Sequence, residues 1–228
     1  MNRLRAYFEN LAERWDAQQP AGRQDVLRQL LVPFEGVMGA AEAILEVGTG
    51  TGALIPCLRA CAPNAWLVSI DLAHAMLGRA RERQAAAGLI QADVHRLPFA
   101  SRPAREPAGN AGRFDLVVCH NSFPHFAHKE AALYEIVRVL SPGGHLFILH
   151  DLSREQVNAI HSGAGEPIRH DLLPPGEDTR RMLLRAGFID AQVADTEDHY
   201  VAIGRRDKAL QDICVREEEI GWVPQPLH

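Results

Sequence analysis

Hydrophobic and polar positions at the start of the chain alternate with a helical period. Apolar residues recur at three- and four-residue steps from Leu4 to Trp15, which is the spacing of an amphipathic helix. This spacing predicts a helix over 4–17, and the pattern that follows predicts a second helix over 23–31. We interpret residues 1–35 as a helical cap on the domain that follows.

Short apolar runs then alternate with helical patterns along the middle of the chain. Such a βαβ rhythm is typical of a parallel sheet that is covered by helices on both faces. The predicted strands are 43–47, 66–70, 90–92, 114–119 and 145–150, and the predicted helices between them are 52–61, 73–87 and 129–140. The pattern therefore predicts an α/β fold.

The rhythm changes after the fifth predicted strand. Polar and turn-forming residues dominate 151–176, which is more typical of a lid or substrate loop than of a core element. A helix over 177–186 is predicted to end at Gly187. Two strands over 189–194 and 199–204 are predicted to form a closing hairpin.

Two further segments lack a strand pattern. The composition of 100–113, rich in Ala, Gly, Pro and Arg, predicts a flexible surface loop. The tail, 207–228, is predicted to hold one more helix over 208–220, with no role assigned to it.

Composition narrows the class of protein. The chain has 228 residues, 46% of them hydrophobic, which suffices for one sizeable core. No apolar run approaches the ~18 residues of a membrane span, and charges interrupt the region where a signal peptide would be apolar. We therefore expect a cytoplasmic protein without membrane insertion. The formal charge of −5, with no basic cluster clear of acids, argues against a nucleic-acid partner.

The cysteines add one expectation about redox state. The chain has four cysteines and no CxxC pair. Reduced thiols are therefore expected, rather than disulfides or a structural zinc site.

The glycines after the first predicted strand carry the main chemical signal. Gly48, Gly50 and Gly52 alternate in "ILEVGTGTG". Closely spaced glycines between a strand and a helix present bare backbone amides at the carboxyl edge of a sheet, where an adenosine-containing cofactor can lie. The string fits two templates: a dinucleotide fingerprint that ends at Ala53, and a shorter pattern that begins at Glu46 and suits a cofactor without a pyrophosphate.

Two acids extend this signal. Asp71 ends the second strand about twenty residues downstream, where a carboxylate can accept hydrogen bonds from both ribose hydroxyls. Asp93 follows the third strand, where an acid can receive the exocyclic amine of an adenine. Asp71 is compatible with either template, so the choice rests on the wider set of motifs.

That set resembles the class I S-adenosylmethionine-dependent methyltransferases, in the small-molecule branch related to the ubiquinone/menaquinone methyltransferases (methyltransferase type 11 domain). The motifs are "FENLAERWD", "ILEVGTGTG", "VSIDLAHAML", "QADVHRLPF", "FDLVVCHNSFPHF" and "EIVRVLSPGGHLFI". The resemblance implies a Rossmann-like, seven-stranded, mostly parallel sheet with helices on both faces. In that family the last strand of the sheet is antiparallel and lies between the fifth and the sixth strand. The resemblance also implies methyl transfer to a small-molecule acceptor, with 36–206 as the domain that binds S-adenosyl-L-methionine.

The resemblance assigns cofactor contacts residue by residue. The first motif would hold the methionine part, the acid of the second strand the ribose, and the residues after the third strand the adenine. The end of the fourth strand would lie near the methionine portion. The residues so assigned are Glu46, Gly48, Thr49, Gly50, Gly52, Asp71, Leu72, Asp93, Val94 and Cys119.

Several histidines distinguish this sequence from the typical pattern of the family that it resembles. We interpret His125, on a proline-stiffened turn, as the first choice for a catalytic base and His120 as the second. Further candidates for acceptor binding are His150, Asp151, His161 and His170. Two other interpretations stay open for these histidines, namely ordinary hydrogen-bonding roles and ligation of a metal ion or of a metal-bearing acceptor. No metal site is predicted, because no helical HxxxH pair fixes a geometry. Tyr7 and Trp15 are candidates either for covering the pocket or for packing the core.

Two other functions stay open at this point. An NAD-dependent oxidoreductase would have the same kind of fold, with a glycine loop after the first strand. Against this function, the chain has no Tyr-xxx-Lys pair, and its third glycine falls two rather than three positions after the second. A cofactor-binding partner subunit without catalytic activity is the other alternative. The sequence names neither the methyl acceptor nor the atom methylated, and it leaves a homodimer open.

Overall fold

The computed structural model describes residues 3–83, 86–99 and 114–209. The chain begins with the helices α1 (Arg3–Trp15), α2 (Arg23–Leu31) and α3 (Glu35–Gly39). The predicted helix over 4–17 and the predicted helix over 23–31 are both present, although residues 16–18 form a 3₁₀ turn. The predicted loop over 100–113, and the tail beyond residue 209, lie outside the described residues.

One seven-stranded sheet forms the centre of the molecule. Its strands are β1 (Ala43–Val47), β2 (Trp66–Asp71), β3 (Gly88–Gln91), β4 (Phe114–His120), β5 (Leu140–His150), β6 (Phe188–Asp195) and β7 (Tyr200–Arg206). They lie in the order β3-β2-β1-β4-β5-β7-β6. Strand β7 is antiparallel to both of its neighbours, and every other pair is parallel. The predicted topology is confirmed, including the antiparallel last strand between the fifth and the sixth.

Helices cover the sheet on both faces. They are α4 (Ile55–Cys61), α5 (His74–Glu82), α6 (Lys129–Val139), α7 (Arg154–Ala164) and α8 (Gly176–Ala186). Successive side chains of a strand point to opposite faces, so Val117 packs in one apolar core and its neighbours Leu116 and Val118 pack in the other. Within the described ranges, no helix is long and apolar enough to cross a bilayer.

Strand β5 is longer than predicted at its start. The predicted strand over 145–150 is present, and the Ser-Pro-Gly-Gly turn before it also belongs to β5. The register with β4 shifts between Phe114 and Leu116. After this shift the two strands stay in register up to His120 and Leu149, which brings His150 beside the carboxyl end of β4.

The segment 151–176 differs from the expected lid or loop, because it contains helix α7. The helix begins with a capping box in which the Ser153 side chain accepts from the backbone N–H of Gln156 and the Gln156 side chain accepts from Ser153. This reciprocal bonding satisfies two amides that would otherwise lack partners at the helix start. Val157 and His161 are buried on one face of the helix. Only 165–175 connects α7 to α8 without regular structure.

Helix α1 is fastened across the carboxyl edge of the sheet. The Glu9 carboxylate accepts hydrogen bonds from the backbone N–H groups of His74 (2.8 Å) and Ala75 (2.7 Å), which open helix α5. Just after α1, Asp16 accepts from Thr51 Oγ1 at 2.6 Å and pairs with Arg83. The N-terminal helix is therefore bound to the elements that follow β1 and β2.

Candidate active site

The three glycines after β1 adopt left-handed backbone angles. The φ angles of Gly48, Gly50 and Gly52 are +76°, +55° and +80°, a region that side-chain-bearing residues rarely enter. A Cβ atom on Gly48 would lie 2.4 Å from the Cβ of Ser122, at the end of β4. Only glycine fits at this position, where the loop passes directly against the next strand end.

Asp71 connects the glycine loop to the end of β2. Its carboxylate accepts from the backbone N–H of Gly50 (2.8 Å) and from that of Ala73 (2.9 Å). Burial raises the pKa of Asp71, against the lowering effect of these two hydrogen bonds. Each carboxylate oxygen carries a second lone pair, so the side chain can still accept from a ligand hydroxyl.

Glu46 lies beneath the loop rather than in contact with the cavity. Its Oε2 accepts hydrogen bonds from Thr49 Oγ1 (2.8 Å) and Ser69 Oγ (2.6 Å). Burial raises the pKa of Glu46 to about 7, although both hydroxyl groups lower it. The structure therefore gives Glu46 an indirect role, in which it fixes the loop from below.

A cavity of about 580 Å³ opens above the loop, a volume typical of small-molecule sites. Side chains of α1 and α2, including Phe8, Trp15 and Arg23, form its outer wall. Of these three residues, only Trp15 was a candidate from the sequence for covering the pocket. The cofactor candidates that line the cavity are Gly48, Thr49, Gly50, Asp71, Leu72, Asp93 and Val94.

Two other cofactor candidates serve packing. Cys119 is fully buried in the apolar core, and burial raises the pKa of its thiol well above the usual range. Because neighbouring strand residues face opposite sides, His120 lines the cavity in its place. A Cβ on Gly52 would lie 3.1 Å from the Cβ of Ala80, so Gly52 allows the close approach of α5.

Asp93 is paired with His95, which was not among the site residues predicted from the sequence. Its Oδ1 accepts from the backbone N–H of His95 and contacts His95 Nδ1 at 2.6 Å. Burial opposes the ionised carboxylate, but the contacts from His95 outweigh it and lower the pKa of Asp93. His95 Nε2 accepts from the backbone N–H of His128 at 3.2 Å, so Nδ1 is the protonated nitrogen.

His125 lines the cavity from a 3₁₀ turn after β4. Its Nδ1 lies 2.8 Å from Oδ2 of Asp171. Its ring lies 4.7 Å from the ring of His161 and meets the Phe8 ring edge to face at 5.0 Å. The first-choice base thus touches α1, α7 and the segment that follows α7.

His120 belongs to a polar group at the ends of β4 and β5. Its Nε2 lies 3.7 Å from Oδ1 of Asp151, and Oδ2 of Asp151 lies 3.7 Å from Nε of Arg23. The Asn121 amide also donates to Asp151. Burial alone would raise the pKa of Asp151, but His120, Asn121 and Arg23 hold it well below its usual range. Asp151 therefore remains ionised behind the cavity wall.

The other acceptor-binding candidates do not line the cavity. His150 is buried against the Tyr200 ring, and burial together with the nearby His120 lowers the pKa of His150 to about 3, so it is neutral. His161 lies behind His125, and His170 is exposed beside Glu166. Among the described residues, no group of three or more His, Cys, Asp or Glu side chains is arranged to hold a metal ion.

Comparison with known sequences identifies relatives of this chain. The family model described as "Methyltransferase domain" matches residues 45–148. A malonyl-[acyl-carrier protein] O-methyltransferase of Geobacter sulfurreducens is 32% identical over 214 residues, which are 86% of this chain and 73% of that protein. A demethylmenaquinone methyltransferase of Thermus thermophilus is 40% identical over 114 residues, 48% of this chain and 47% of that enzyme. The chain thus spans about half the length of the Thermus relative.

Solved structures share the fold. An S-adenosylmethionine-dependent methyltransferase of Methanococcus maripaludis superposes with a TM-score of 0.65, covering 92% of this chain and 95% of that one at 18% identity. At such low identity the likeness concerns the arrangement of strands and helices alone.

Proposed function

The chain belongs to the S-adenosylmethionine-dependent methyltransferase family, and from this premise we propose that it transfers a methyl group from S-adenosyl-L-methionine to a small-molecule acceptor. The observation that carries the proposal is the glycine loop after β1, where the backbone leaves no room for a side chain at Gly48. The cavity opens directly above this loop.

The residues around the loop fit the cofactor that the family uses. The loop from Gly48 to Gly50 offers a bare surface, and Asp71 has lone pairs left for the ribose hydroxyls. Leu72 and Val94 supply apolar contact for an adenine, with Asp93 beside them. Bound S-adenosyl-L-methionine supplies a methyl group that is already electrophilic, because it is attached to a sulfonium.

The chain's own residues then chiefly orient the reactants and exclude water. Such positioning supplies about 7–11 kcal/mol of barrier reduction in well-oriented reactions. Phe8 and Trp15 of α1 cover the cavity, and His125 serves as the base that takes a proton from the acceptor. A base in this position favours acceptors whose nucleophile carries an ionisable proton.

Calorimetry with S-adenosylmethionine, its demethylated product S-adenosylhomocysteine and NAD tests the proposal. We expect both sulfur nucleosides to bind and NAD not to bind. Gly48→Ala should weaken binding of both sulfur nucleosides, because relief of the clash with Ser122 displaces the loop on which they would lie; the overpacking itself, about 1–3 kcal/mol, should appear as lost stability. Gly36→Ala is the matched control, because a Cβ there meets nothing within 4 Å.

Two outcomes would contradict the proposal. Uptake of NAD without uptake of S-adenosylmethionine would instead support an oxidoreductase. Binding of S-adenosylmethionine without release of S-adenosylhomocysteine, on any acceptor of a broad panel, would support a cofactor-binding subunit without catalysis.

A further inference from the structure

We propose that Asp171 is the positioning residue for His125, and that it holds this imidazole with Nε2 free to take the acceptor's proton. The inference rests on the proposed methyl transfer, because it concerns the base of that same site. It goes beyond the family's cofactor motifs, since Asp171 lies in the 165–175 connection between α7 and α8.

The contact between the two side chains fixes the tautomer of His125. Oδ2 of Asp171 lies 2.8 Å from His125 Nδ1, and an ionised carboxylate only accepts hydrogen bonds. Nδ1 therefore carries the hydrogen, and the lone pair of the neutral ring is on Nε2. The His125 side chain is only 14% exposed, so water competes weakly for the pair.

Helix α7 holds the backbone around Asp171 in place. Nδ1 of His161 bonds the main-chain carbonyl of Asp171. The Asn158 side chain, also in α7, donates to the carbonyl of Leu173 (3.1 Å) and accepts from the N–H of Leu173 (2.7 Å). Leu173 lies two residues after Asp171. The Asp171 carboxylate is thus presented to His125 by a segment that is attached to α7 at two points.

His161 is arranged to be neutral beside His125. Burial lowers the pKa of His161, and the neighbouring His125 lowers it further, although the contact with Asp171 acts in the opposite direction. A neutral imidazole 4.7 Å from the His125 ring adds little repulsion when His125 takes up a proton. Asp171 is then the group that stabilises the resulting imidazolium.

Other titratable groups surround the pair. Lys129 of α6 lies near Asp171 and His161, and its ammonium bonds the carbonyl groups of Pro124 and Phe126. Asp71 of β2 faces His125 across the cavity, and the neutral His150 of β5 lies behind it. Within the described residues, Asp171 is the carboxylate in hydrogen-bond contact with the ring.

The proton transfer balances as follows. The acceptor's X–H bond breaks with its proton moving to His125 Nε2, the lone pair left on X forms the bond to the methyl carbon, and the pair of the breaking carbon–sulfur bond stays on sulfur. The His125 imidazolium, paired with Asp171, then loses the proton to water. No oxidant or further reactant is required.

Imidazole NMR of the chain tests the positioning role without an identified acceptor. In the wild type we expect neutral His125 to be the Nδ1–H tautomer. In Asp171→Asn the Nε2–H tautomer should gain population, because the amide that replaces the carboxylate can donate to Nδ1 as well as accept from it. Glu166→Gln, an exposed change in the same segment, is the matched control and should leave the tautomer unchanged. His125→Gln assigns the signal.

A second variant separates electrostatics from damage to the fold. Asp171→Glu keeps a carboxylate that only accepts hydrogen bonds, so it should preserve the Nδ1–H tautomer of His125 more fully than Asp171→Asn does. An Nε2–H tautomer in the wild type, or equal tautomer populations in the wild type and in Asp171→Asn, would overturn the inference. Failure to bind S-adenosylhomocysteine with an intact Nδ1–H tautomer would contradict the proposed function and leave the positioning role standing.

Discussion

Glu46 places an ionisable group beneath the glycine loop, and this has a consequence for stability. Its pKa in the folded protein is raised from 4.5 to about 7 by burial, so the folded state binds the proton more tightly than the unfolded state. The stabilisation from protonated Glu46 is complete below pH 4.5 and is lost as the pH rises through about 7. The loop is therefore attached to a carboxyl group that weakens the fold when it ionises.

Glu46→Gln should remove this pH dependence, because an amide oxygen can still accept from Thr49 and Ser69. In urea unfolding across this pH range, we expect the variant to gain free energy of unfolding relative to the wild type as the pH rises. The gain should approach the order of 3 kcal/mol above pH 7, at 1.36 kcal/mol per pKa unit. Glu42→Gln, at an exposed glutamate of the same segment, is the control. Parallel curves for Glu46→Gln and the wild type would contradict the prediction.

The site residues whose positions could be predicted from the sequence lie at or just after the ends of strands. Gly48, Asp71 and His125 lie at the carboxyl edge of the sheet, where the strand pattern had put them. Neighbouring residues of a strand face opposite sides, so only one of Cys119 and His120 can face the cavity. The alternation along β4 could therefore have shown that the two residues do not both line the site. Asp171 was not predicted as a partner of His125, since 46 positions separate them and their contact depends on the packing of α7.

At the scale of elements, α1 serves as a clamp on α5 as well as a wall of the cavity. A helix leaves its first N–H groups without intrahelical partners, and at the start of α5 two of these groups are bonded by Glu9. The Glu9 carboxylate therefore replaces a local cap, and Ala73, at the capping position, offers no side-chain acceptor.

Glu9→Ala should lower the free energy of unfolding by about 1 kcal/mol, the usual cost of losing a helix cap. It should also weaken S-adenosylhomocysteine binding, because Phe8 and Trp15 stand on the same helix. Chemical unfolding and calorimetry measure the two effects. Glu13→Ala, an exposed change on α1, should alter neither quantity. Equal stability of Glu9→Ala and Glu13→Ala would show that the clamp contributes nothing.

Helix α7 shows why one element was not predicted. Its composition is polar, and only two of its eleven residues are buried, so composition favoured a loop even though its apolar residues Val157 and Ile160 have a helical spacing. The string Ser153-Arg154-Glu155-Gln156 nevertheless has the S-x-x-Q form of a capping box, which is a local signal for a helix start. Composition alone could not reveal that His161 of this helix would contact His125.

At the scale of the whole molecule, the cavity gathers residues from distant parts of the chain. The glycine loop follows β1, His125 follows β4, Arg23 belongs to α2 and Trp15 to α1. The sheet order could be anticipated because the motifs resemble one family as an ordered set. The helical cap over 1–35 stays a prediction, and so does the homodimer, which depends on contacts between two copies of the chain.

Trp15 gives the molecule a built-in optical reporter. Its indole nitrogen lies 3.9 Å from the position that a Cβ on Gly50 would occupy, so a nucleoside on the loop would approach the indole. We expect S-adenosylhomocysteine to quench part of the intrinsic fluorescence, and Trp15→Phe to abolish that change. Trp66→Phe should preserve it, because Trp66 stacks on Phe114 at 5.4 Å, at the opposite edge of the sheet. Quenching that survived in Trp15→Phe would show that another residue emits the affected fluorescence. If quenching is lost in Trp15→Phe alone, a simple emission titration can follow binding at the site in real time.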